Sequence, residues 1–299
     1  MRKRKMMTVL FLSIFAGICP AAVTAAPYAK PFKIVASFYP VYIMTLNVIR
    51  GVPGASVTCL ATPMTGCLHD YSLTTGDMRA LEDAQLVAVN GAGMEPFLEK
   101  IAQQFPRLTV TELASGIPLI EDPEGGGPNP HVWVNPRDAA AAVRNLAGAL
   151  AKADPAHADL YRQNAADYIS KLEKLAQEMH AALDRYRGTP VVMLHESFAY
   201  LARELGLRVV AVIQHDPGSE PGAGDLIEAI TQIKLTGARI IFSEPQYSDR
   251  AAQTIAREAG VSLYELDSAV TGPEEAGAYL DAMKKNVEVL KTALVSPGI

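Results

Sequence analysis

Residues 59–77 read CLATPMTGCLHDYSLTTGD, and the order of signals in them decides the fold. They open on the end of a β-prone run, residues 57–60. Pro63 and Gly66 then make a turn-rich loop that presents His69. Thr74 or Thr75 can cap a following helix. Asp77 falls in its first turn, where a negative charge suits the helix dipole. The layout is strand, loop with a metal-capable side chain, helix. In α/β proteins, ligands collect where strands end and loops begin. His69 is therefore a candidate metal ligand. A lone loop histidine carries little weight, so its partners are to be sought at equivalent strand ends.

The same alternation runs outward in both directions. Upstream, FKIVA (32–36) reads as a buried strand, followed by a helix from Pro40 to Arg50. Downstream come a strand at 86–89, a tight turn at 90–93, a helix at 94–105 and a strand at 108–111. The glycine turn lacks a full dinucleotide-binding pattern. Continuous apolar strands alternating with helices imply a parallel sheet covered on both faces. An irregular acidic loop, 114–129, leads into PHVWVNP (130–136), which carries His131 and the only tryptophan, Trp133. If extended, that segment puts His131 and Trp133 on one face. A helix over 137–153 follows. Residues 156–186 then read as one long helix, the connector between two lobes. His157 and His180 on it have no spaced partner and are expected on a solvated face.

Beyond Gly188 the β-α alternation resumes. PVVML (190–194) delivers His195 at a strand end, with a helix from Glu196. Strands at 208–212, 240–243 and 261–266 are expected, with Glu244 and Asp267 at the ends of the last two. His215 and Asp216 sit in a Pro/Gly loop, 213–224. Helices are expected at 225–235, 250–259 and 274–294.

The first 26 residues differ in kind. Arg2, Lys3, Arg4 and Lys5 precede a short apolar run and small residues near Ala25, the pattern of a cleaved secretory signal peptide. Cys19 offers the alternative of a lipid-tethered protein, although Ile18 is bulky for that signal. Loss of the leader's four positive charges takes the net from −5 to about −9, which argues against nucleic-acid binding. Export permits a disulfide between Cys59 and Cys67; free thiols and thiolate metal ligands are the alternatives. The expected units are residues 1–26 (leader), 27–153 (first lobe), 154–188 (connecting helix) and 189–299 (second lobe).

Three imidazoles with one carboxylate suit Zn²⁺, whereas Ca²⁺ and Mg²⁺ want oxygen. The segments GCLHDYSLTTGDM, NGAGMEPFL, PHVWVNP, MLHESFAYLARELGL, IFSEPQYSDRAAQTIAREAGV and YELDSAVTG occur in this order. Together they resemble the solute-binding subunit of zinc/manganese ABC importers (the cluster A-I type of periplasmic binding protein). The resemblance implies two α/β lobes joined by one long rigid helix, with the metal in the cleft between them. It implies His69, His131, His195 and Asp267 as metal ligands, and histidine at 195 leans toward Zn²⁺ over Mn²⁺. Glu196 or Glu244 is expected to orient a ligand histidine. The partners implied are an ABC permease and its ATPase, served by a monomer that is not an enzyme. An acidic loop without histidines stands where many zinc members carry a His-rich one. An exported zinc hydrolase is the rival reading, weakened by the absence of an HExxH helix. A metal-binding adhesin is the third.

Overall fold

The computed structural model describes residues 31–61, 68, 71–121, 127–214 and 221–295. The first lobe holds β1 (Phe32–Ala36), α1 (Tyr39–Val48), β2 (Ala55–Cys59), α2 (Thr75–Glu82), β3 (Leu86–Val89), α3 (Leu98–Gln104) and β4 (Thr109–Glu112). A short antiparallel pair follows, β5 (Ile120–Glu121) and β6 (Pro128–Asn129). Next come α4 (Pro136–Ala153) and α5 (Ala158–Leu183). The second lobe holds β7 (Pro190–His195), α6 (Ala199–Leu205), β8 (Arg208–Gln214), α7 (Ala223–Thr236), β9 (Ile240–Ser243), α8 (Arg250–Ala259) and β10 (Ser262–Glu265), and α9 (Ala278–Val295) closes the described chain.

Both four-stranded sheets are wholly parallel, as the apolar strands predict. Their orders are β2-β1-β3-β4 and β8-β7-β9-β10. The two lobes therefore share one strand order. In each, the winding reverses between the first and third strands, so a crevice opens at the carboxyl ends of β1 and β3 and again at those of β7 and β9.

Local chemistry explains the element ends. Thr74 caps α2: its hydroxyl accepts from the Asp77 amide at 3.2 Å, and the Asp77 carboxylate accepts from the Thr74 amide at 2.7 Å. Asn135 caps α4 ahead of Pro136 by accepting from the Arg137 amide. The helix expected from residue 94 begins only at Leu98. Pro96 disfavours helical geometry at Glu95, and the Glu95 carboxylate is engaged elsewhere. The final helix likewise starts at Ala278 rather than 274. The acidic loop is not wholly irregular, because Ile120 pairs with Asn129.

Helix α5 has 26 residues, about 39 Å of rise. Its buried stripe runs through Tyr161, Tyr168, Leu172, Leu175, Met179 and Leu183. Helix α9 packs back on α5 and α1, and one continuous core joins the lobes. A smaller cluster covers the outer side of the second sheet. The solvated-face expectation for the two helix histidines fails. His157 Nδ1 lies 2.7 Å from Asp154, and His180 sits between Asp184 at 2.8 Å and Glu204 at 2.6 Å. Asp184 is four residues on, but Glu204 is brought by tertiary packing that no local spacing shows. No described helix is long and apolar enough to cross a membrane.

Candidate metal site

Strand β7 carries His195 to the crevice of the second lobe, and the turn after β6 carries His131 to meet it. The two rings stand edge to face with centroids 4.9 Å apart. Both residues are essentially inaccessible, at 0 % for His131 and 1 % for His195. Two imidazoles side by side in a buried pocket are donors of the kind a cation such as Zn²⁺ takes.

Segment 131–135 is not extended. A single 3₁₀ turn over Val132–Val134 folds it, yet the His131 and Trp133 rings still lie 5.1 Å apart. The indole Nε1–H donates to the Ser268 carbonyl at 2.8 Å, and the Trp133 carbonyl accepts from the Tyr279 hydroxyl at 2.7 Å. Trp133 thus pins the His131 turn to the segment that carries Asp267.

Asp267 follows β10. Its carboxylate accepts from the Ala269 amide at 2.8 Å, and its backbone is gripped on both sides by the Asn286 side chain. Burial pushes its pKa up, with the Ala269 amide and Lys285 opposing. Tyr39, whose hydroxyl donates to Pro273, is pushed up to about 12 by burial and by Asp267. A chain of contacts runs from Ser268, the residue after Asp267, toward His195. Gln246 Nε2 donates to Ser268 Oγ at 2.6 Å and to Glu244 at 2.5 Å. Glu244, itself buried, accepts from Ser197 Oγ and lies 3.5 Å from His195 Nδ1.

Of the four expected ligands, the structure brings His131 and His195 into contact and sets Asp267 one residue before Ser268, whose carbonyl holds Trp133 and whose hydroxyl holds Gln246. His69 lies outside the described residues, as do His215 and Asp216. Among the described residues, no group of three or more His, Cys, Asp or Glu side chains could hold a metal alone. Both expected orienting carboxylates stand near a histidine: Glu244 near His195, and Glu196 at 3.9 Å from His131 Nδ1. The closer partner of His131 is Asn129, at 2.9 Å, which the sequence reading missed. An Asn-Pro-His turn was its only local signal.

Cys59 carries a free thiol that hydrogen-bonds to the Ala61 carbonyl, and Cys67 is outside the described residues. Burial, with Glu274 and Asp77 adding, pushes the Cys59 thiol up to about 12. That keeps it protonated in the metal-free chain.

A two-lobed α/β frame with buried, facing histidines where the lobes meet is the frame of a solute-binding protein. Residues 34–293 match the family described as zinc-uptake complex component A, periplasmic (ZnuA), and the chain belongs to that family. Membership sets it among binding components of uptake systems and not among enzymes. It is 29% identical over 282 residues to the high-affinity zinc uptake system protein ZnuA of Bacillus subtilis, covering 88% of this chain and 87% of that one. Among solved structures it is similar to FpvC of Pseudomonas aeruginosa in complex with Mn²⁺, at a TM-score of 0.81 and 30% identity, with 89% and 99% of the two chains covered. It is also similar to the laminin-binding protein Lmb of Streptococcus agalactiae, described as bifunctional with adhesin and metal-transporting activity, at 0.78 and 26% identity, with 88% and 99% covered.

Proposed function

We propose that this chain captures a divalent transition metal outside the cytoplasm, foremost Zn²⁺, and delivers it to an ABC permease powered by its ATPase. The observation that carries the reading is the buried His131–His195 pair where the lobes meet. His69 and Asp267 complete the shell in this proposal, with Asp267 supplying the negative charge that three neutral imidazoles lack. Metal capture is then pH-dependent, because protons compete for the same nitrogens.

In the same proposal a leader of 26 residues is removed on export, the lobes comprise residues 27–153 and 189–299 around a connector at 154–188, and the mature protein works as a monomer. The Cys59 thiol, free in the structure, bridges to Cys67 on oxidation after export in this proposal, a closure that restrains the loop before His69. Lipid attachment through Cys19 is the alternative fate of the leader. The Mn²⁺ complex of FpvC supports manganese as the second cargo.

Metal content and competition titration on the mature protein test this, with His195→Ala alongside. One tightly held zinc per chain, weakened by more than about 100-fold in the variant, is expected; this exceeds the loss typical of an orienting partner. Tighter retention of Mn²⁺ than Zn²⁺ would change the cargo and keep the site. Absence of specific metal in the wild type would overturn it.

A further inference from the structure

We propose that Asn129 is the positioning residue that decides which nitrogen of His131 carries the lone pair. The inference rests on the reading of His131 as a metal ligand, and it deepens that reading.

The argument is one of donors and acceptors. Asn129 Oδ1 lies 2.9 Å from the His131 backbone nitrogen and 2.9 Å from ring Nδ1. The other end of the amide, Nδ2, lies 3.1 Å from the Glu196 carbonyl oxygen. A backbone N–H can only donate, and a backbone carbonyl can only accept. The amide orientation is therefore dictated at both ends: oxygen toward His131, nitrogen toward Glu196. A flipped amide would set NH₂ against N–H on one side and oxygen against oxygen on the other. With oxygen facing the ring, Nδ1 must carry the proton, and Nε2 keeps the lone pair.

Asn129 has little freedom to do otherwise. It is 2 % exposed. Its own carbonyl accepts from the Tyr200 hydroxyl at 2.6 Å, and that same hydroxyl accepts from the Ile120 amide, the β5 residue paired with Asn129. Pro130, between the two residues, has its carbonyl held by Asn90 Nδ2 at 2.9 Å. The tautomer of a first-lobe histidine is thus set by an amide that Glu196 and Tyr200 of the second lobe hold in place.

A neutral imidazole in water samples both tautomers, and the form protonated at Nε2 presents N–H where a cation needs a lone pair. Fixing the ring in advance removes that loss, and outer partners of this kind are worth about 10–100-fold in metal affinity.

The test is the ¹⁵N imidazole spectrum of the metal-free protein at about pH 8.5, roughly two units above an ordinary histidine pKa of about 6.5. His131→Ala identifies the His131 signals by their loss. The wild type should show a protonated Nδ1 and a bare Nε2. Asn129→Ala should shift His131 toward the Nε2-protonated form and weaken zinc by about 10–100-fold. Asn129→Asp keeps an acceptor toward Nδ1 but sets its second oxygen against the Glu196 carbonyl, so it should restore the Nδ1-protonated spectrum while recovering only part of the affinity, which separates positioning from simple loss of folding. An unchanged His131 tautomer in Asn129→Ala, with the fold intact by thermal melting, would overturn the proposal. If His131→Ala leaves zinc binding intact, the ligand reading fails instead, and the spectrum still decides the role of Asn129.

Discussion

The two lobes share a strand order, so each has a crevice where the winding reverses, and each fills it with a buried glutamate. In the first lobe, at the ends of β1 and β3, the Glu95 carboxylate accepts from Ser37 Oγ, the Asn90 amide and the Gly91 amide, at 2.7, 2.7 and 2.9 Å. Gly91 has φ +79, and a Cβ there would meet Glu112 Oε2 at 2.6 Å, so only glycine fits the turn. In the second lobe, at the ends of β7 and β9, Glu244 accepts from Ser197 and Gln246 and leaves one side against His195. The first carboxylate is spent on its own loop; the second is turned toward a ring that can hold a cation. The same place in the same topology is a structural latch in one lobe and, in the proposed function, part of the metal site in the other.

The sharpest way to break this contrast is to neutralise each glutamate in turn. Glu244→Gln removes the charge behind His195 and should weaken zinc binding by about 10–100-fold with the fold retained. Glu95→Gln should leave zinc affinity within a few-fold. Competition titration of both variants decides the matter, and equal losses would mean that the two crevices do the same work.

Glu95 has its own signature in stability. Burial pushes its carboxyl up to about 7 from an ordinary 4.5, despite three hydrogen bonds that oppose the shift. A raised folded value means the folded state holds the proton more tightly. Its contribution is therefore complete below pH 4.5 and is lost as pH rises through about 7. Glu95→Gln sets an NH₂ against one of the three donors, at a cost of about 1–3 kcal/mol. The cost should be largest near pH 4.5 and shrink toward pH 8, where the wild type has lost its own advantage. Urea unfolding across this range measures it. A difference independent of pH would show that Glu95 does not titrate there.

Much of this was legible from local pattern. PVVMLH announces a strand that ends on a histidine, IIFSE one that ends on a glutamate, and Thr74 with Asp77 a capped helix start. What escaped is non-local. Trp133 meets Ser268 across 135 positions, and Gln246 reaches Ser268 across 22. Neither contact leaves a spacing in the sequence. The matching strand orders also left none, because the lobes share a pattern of apolar runs and not their residues. Asn129 was near enough to His131 to be noticed, but its reach depends on the turn that follows it.

His180 marks the limit of the contrast. It too is a carboxylate-flanked histidine, but both of its nitrogens are taken, Nδ1 by Asp184 and Nε2 by Glu204. Only an imidazolium can donate to both, so this ring holds a proton instead of offering a lone pair. The cluster is a joint: His180 lies on α5 and Glu204 on α6, and Arg137 at the start of α4 reaches Glu204 at 3.0 Å. The hydrogen bonds to Asp184 and then to Glu204 raise the pKa of His180. The stabilisation is thus complete below the unfolded value of about 6.5 and is lost as pH rises through the folded one. His180→Gln should lower Tm by on the order of 1–3 °C near pH 6, converge on the wild type at alkaline pH, and leave zinc affinity unchanged. A loss of zinc in this variant would mean that the charged joint, and not only the pair of crevices, sets how the lobes hold their metal.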